Sequence, residues 1–135
     1  TGYPFGVNLC RGYPRFNPGE FSTVDLLVRG DNDACLVLGA DPGATMPQPA
    51  IDHLARIPTI TLDPKVTHTS RLSRVHITTA ATGISAPGTA YRMDEVPMPL
   101  RPALKSPYPT DEEVVRRISE AVMRRPAWLP GRNGE

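Results

Sequence analysis

Two short apolar runs, Ala34–Leu38 and Thr59–Leu62, are each followed by Asp-Pro, and a helix-sized segment, Gln48–Arg56, lies between them. Strand, turn, helix, strand, turn is the order this predicts. Two strands joined by a helical crossover lie parallel. Both turns, Asp41-Pro42 and Asp63-Pro64, then fall at the carboxyl edge of one sheet. Open α/β sheets bind ligands at that edge.

The rest of the chain fits around this core. Residues Glu20–Arg29 place Phe21, Val24, Leu27 and Val28 on one helical face, with Gly30 as a stop. The strand Ala34–Leu38 is apolar throughout, as expected for a parallel strand covered on both faces. Gly39–Met46 reads as a small-residue loop. The crossover helix turns Ile51 and Leu54 inward and ends before Pro58. Arg74–Thr78 supplies a third strand around Val75 and Ile77, and Thr89–Arg101 is extended. A capping box of Thr110 and Glu113 opens a C-terminal helix with the stripe Val114, Val115, Ile118, Ala121 and Val122. Arg124 and Arg125 suit its negative end, and Pro126 stops it.

The 135 residues suit one domain with a real core. Sixteen prolines, roughly twice the usual share, keep much of the chain in turns and extended segments. A formal net charge of +1 offers no surface for nucleic acid. No apolar run nears the roughly 20 residues that span a bilayer, so no membrane partner is expected. Cys10 and Cys35 stand alone, which excludes a self-contained zinc or iron–sulfur set and fits reduced thiols in the cytoplasm. The chain begins at Thr1, inside patterned sequence, and is expected to be part of a longer polypeptide.

Asp41 and Asp63 are the first candidates for chemistry. A carboxylate at a strand end accepts hydrogen bonds from ribose hydroxyls or guanine N–H groups. It also caps turns, which Asp-Pro does commonly. Thr67, Thr69 and Ser70, near a helix start, suit either phosphate binding or ordinary capping. His53, His68 and His76 lack ligand spacing, and neither GxGxxG nor GxxxxGK occurs.

The motifs TGYPFGVNLCRGYPRFNPGEF, GADPGATMP, LDPKVTHTSRLSRVHI and GTAYRMDEVPM follow one another over Thr1–Leu104. In that order they resemble the C-terminal part of the B subunit of formylmethanofuran dehydrogenase. They also resemble the related B subunit of the bacterial formyltransferase/hydrolase complex. The wider family is the molybdopterin oxidoreductases. The resemblance implies an α/β fold: a small Rossmann-like three-layer domain with a short, mainly parallel sheet, extended Pro/Gly-rich flanks and a C-terminal helix. Its divisions would be an aromatic loop over 1–19 packing on a partner surface, the domain proper over 20–104, and a linker, helix and tail over 105–135.

By the same resemblance, Asp41, Pro42, Pro47, Asp63, Pro64, Thr67, Thr69, Gly88 and Thr89 match positions that contact a molybdopterin guanine dinucleotide carrying tungsten or molybdenum. Family members often carry an acidic residue shortly before that Gly-Thr pair, where this chain has Ser85, Ala86 and Pro87. The family's metal-binding Cys or selenocysteine and its iron–sulfur cysteines have no counterpart here. The leading expectation is therefore a structural subunit, without bound cofactor, of a formyltransferase/hydrolase complex. Partner subunits would move a formyl group from tetrahydromethanopterin to a methanofuran analogue and hydrolyse it to formate. The alternatives are the cofactor-binding part of a tungsten or molybdenum dehydrogenase and a free-standing small-nucleotide module.

Overall fold

The structure is a computed structural model and describes residues 22–124. The aromatic stretch 1–19 and the tail 125–135 lie outside the described residues. The chain divides into two units, residues 1–78 and 79–135. The first holds a parallel sheet with its helices, and the second a hairpin and the C-terminal helix.

The first unit opens with α1, Thr23–Arg29. Ser22 caps it: its hydroxyl accepts from the Asp25 N–H at 3.2 Å, and Asp25 accepts the Ser22 N–H at 3.3 Å. The helix ends where Gly30 turns left-handed, with φ +72°, and the Asp31 N–H closes on the Leu26 carbonyl at 3.0 Å. Strand β1, Cys35–Leu38, follows. The expected loop after it contains a single helical turn, α2, Pro42–Thr45, because Pro42 sits at a first helical position that needs no N–H. The crossover helix α3, Gln48–Leu54, leads to β2, Thr59–Asp63. Helix α4, His68–Leu72, leads to β3, Val75–Thr78.

The three strands run parallel in the order β1-β2-β3. Cys35 pairs with Thr59 and Leu38 with Leu62; Ile60 pairs with Val75 and Asp63 with Thr78. This is a mixed α/β unit on a parallel sheet, with the crossover anticipated from the two Asp-Pro turns. Helices α1 and α3 meet through Leu27, Ala50 and Leu54, each about 1% exposed or less, and Cys35, Met46 and Ile57 pack on them. Each of the two leucines contributes roughly 1.5–3 kcal/mol by leaving water.

Two expectations for β1 and its surroundings need correction. The described residues do not cover the strand on both faces. Cys35 and Val37 turn towards the helices, while Leu36 and Leu38 on the other face are 46% and 42% exposed. An apolar run records side-chain chemistry alone, and it does not say which residues supply the cover on each face. In α1, Leu27 is buried but Val28 is exposed, since a seven-residue helix presents only a narrow stripe.

The second unit carries β4, Gly88–Tyr91, and β5, Pro97–Leu100, paired antiparallel. The stretch read as merely extended is thus a hairpin. Its turn places Glu95 at φ +63°, a left-handed position, with the Arg92 N–H on the Val96 carbonyl at 3.0 Å. Helix α5, Asp111–Arg124, buries Val114, while Val115 and Val122 stay exposed. Thr110 caps it as expected, accepting the Glu113 N–H at 3.2 Å.

Candidate functional site

The carboxyl rim of the parallel sheet gathers most of the polar residues singled out above. Asp63 is the last residue of β2, and Asp41 follows β1 by three residues. The register of Leu38 with Leu62 puts both aspartates at the same end of neighbouring strands. Helix α4, rising from that rim, brings Thr67 and Thr69 to it.

Asp41 does not face outward as a free acceptor. One carboxylate oxygen takes the Thr69 N–H at 2.8 Å and the Thr69 hydroxyl at 2.7 Å. The other takes the His68 N–H at 3.2 Å, with the His68 ring nitrogen at 3.5 Å. Partial burial works against the charge, but the bonds from Thr69 and His68 outweigh it and hold the carboxyl below the ordinary aspartate value. Asp41 is N-cap of α2 by position, yet its side chain caps α4 instead.

Gly43 completes the clamp. Its N–H donates to the Thr69 hydroxyl at 2.8 Å. A side chain there would begin 2.9 Å from the Thr69 backbone nitrogen, so only glycine lets the two loops approach so closely. Sequence reasoning passed over Gly43 and His68 as members of this cluster. The signal was the glycine directly after Asp41-Pro42.

Thr67 and Ser70 form a reciprocal capping box. The Ser70 N–H donates to the Thr67 hydroxyl at 3.1 Å, and the Thr67 N–H to the Ser70 hydroxyl at 2.7 Å. Asp63 is only 6% exposed, and one of its oxygens accepts the Lys65 N–H at 3.0 Å. Pro42 is buried, whereas Pro47 and Pro64 are exposed. Gly88 and Thr89 belong to the second unit, where they open β4. Gly88 lies against Thr82: an added carbon would sit 2.4 Å from its methyl group. Ser85 accepts the Ala81 N–H at 3.0 Å and so closes its own loop.

Among the described residues no three His, Cys, Asp or Glu side chains gather as metal ligands would. Of the side chains expected to hold a dinucleotide, Asp41, Thr67 and Thr69 are engaged within the chain. Three more positions are prolines. Among the described residues, Asp63 has one hydrogen bond and keeps its second oxygen unused. Asp63 is thus the rim carboxylate with an oxygen left over for a further donor.

Cys35 is half-buried, and burial pushes its thiol upward. His53 shares a 2.8 Å hydrogen bond with the Asn32 carbonyl, and His76 a 3.0 Å bond with the Thr61 hydroxyl. Among the described residues, neither belongs to a group of three side chains that could hold a metal ion.

The architecture defines a parallel α/β unit with a polar rim assembled from its own turns and helix caps. No protein-family model matches the chain. Over 124 residues, 90% of its length, it is homologous to the B subunit of tungsten-containing formylmethanofuran dehydrogenase 2. The protein from Methanocaldococcus jannaschii is 46% identical, and that from Methanococcus maripaludis 44% identical, also over 124 residues. The chain spans 28% and 29% of these curated relatives, under a third of their length. No helix among the described residues is long and apolar enough to cross a membrane.

Proposed function

We propose that this chain is a structural, non-redox part of a B-type polypeptide in a cytoplasmic one-carbon complex. Its Rossmann-like three-layer domain descends from one that held a pterin nucleotide. Partner subunits carry formyl transfer from tetrahydromethanopterin to a methanofuran analogue, and its hydrolysis to formate. One observation carries the reading: both oxygens of Asp41 are bound to α4, so the first rim carboxylate works as a clamp between two loops. The identity with the dehydrogenase B subunits supports that lineage, and Ser85, Ala86 and Pro87 stand where the resemblance leads one to expect an acidic residue.

Asp63 favours a second reading. Its carboxylate is nearly buried, lies on the same rim and has a single internal bond. If it meets a guanine or ribose donor, the chain is the nucleotide-binding part of a tungsten or molybdenum dehydrogenase. Analysis of the complex purified from its source separates the two. The structural reading expects no guanine nucleotide after denaturing extraction and no stoichiometric tungsten or molybdenum. Finding both at one per B-type polypeptide establishes the second reading instead.

A further inference from the structure

Among the described residues, nothing pairs with the outer edge of β1. Cys35 and Gly39 donate their N–H groups inward, to Pro58 and Leu62 at 3.0 and 2.9 Å. Alternation along the strand therefore turns the N–H and C=O of Leu36 and Leu38 outward. Among the described residues no group takes them. Natural edges are blunted by charges, prolines or bulges. The sequence Cys-Leu-Val-Leu has none of these.

The ground beside the edge is equally apolar. A cavity of about 330 Å³ runs along it, walled by Val24, Leu27, Leu36, Val37, Leu38 and Met46. Asp41 reaches its margin, but that carboxylate is committed to α4. Beyond it, the sheet face carrying Leu36 and Leu38 continues to Val75, which is 44% exposed.

We infer that this edge receives a fourth strand, parallel to β1. The occupant is an extended, uncharged aliphatic segment from the sequence by which B-type polypeptides exceed the matched span. Three observations select it. The sheet is wholly parallel, and parallel neighbours come by crossover from the same fold. A second copy related by a two-fold axis would instead pair antiparallel. The relatives are more than three times as long as the matched span, which leaves ample sequence to supply the strand. The inference holds whether or not the rim binds a nucleotide.

Hydrogen exchange on the assembly purified from its source is the first test. The Leu36 and Leu38 amides are expected to exchange at least tenfold more slowly than in the unfolded chain; exchange at the unfolded rate overturns the inference. Identification of the neighbour is the second. A photo-crosslinking side chain at Leu38 is expected to attach to an aliphatic segment of a B-type polypeptide outside the matched span. Attachment to a second copy, to residues 1–21 or 125–135 of this chain, or to a different subunit overturns it. Leu36→Pro removes an outward N–H and leaves the bonds to β2 untouched, so it is expected to cut the cross-link at least tenfold. A cross-link that persists in correctly folded Leu36→Pro also overturns the inference. Should that variant fail to fold, exchange and cross-linking in the unsubstituted strand decide.

Discussion

Asp41 shows how a residue type that suggests binding can serve the scaffold. Its bonds favour the charged form, so the folded state binds its proton more weakly than the unfolded chain does. The stabilisation is complete above the ordinary aspartate value and is lost as pH falls through the lower folded value. Asp41→Asn is therefore expected to flatten the acid side of the stability profile, with a cost of about 1–3 kcal/mol near neutrality. Urea unfolding at a series of pH values measures both. Gly43→Ala tests the other half of the clamp. With backbone only 2.9 Å from the new carbon, the loops must separate, and a loss of about 1–3 kcal/mol is expected in the same assay.

At the scale of elements, the sequence was legible wherever local chemistry decides. Thr110 caps the helix it was expected to cap, Thr67 takes the capping role that was one of its two readings, and Gly30 ends α1. The two Asp-Pro turns close neighbouring parallel strands, because a helical crossover leaves few other arrangements. What could not be read was the partner of each polar side chain. Asp41 reaches His68 and Thr69 across 27 and 28 residues, and no local pattern encodes such a bond. The hairpin was missed for a related reason. Pro97 and Pro99 argue against a strand, but β5 has a single hydrogen-bonded neighbour in its sheet, and a strand with one neighbour tolerates proline. Capping energies are testable directly. Ser22→Ala removes the acceptor for the Asp25 N–H and is expected to cost about 1 kcal/mol in thermal or urea unfolding, while Ser22→Gly costs only a few tenths.

For the whole molecule, the apolar sheet face that the described residues leave exposed has a colloidal consequence. A formal charge of +1 supplies almost no mutual repulsion between copies at neutral pH. Light scattering of the chain alone is expected to rise with concentration and with added ammonium sulfate, and to fall as the net charge is moved away from zero. A solution that stays clear and monodisperse throughout would contradict this. Handling the polypeptide on its own is therefore a matter of keeping Leu36, Leu38 and Val75 from meeting their own kind. An unpaired aliphatic strand edge of this kind is where self-association is expected to start.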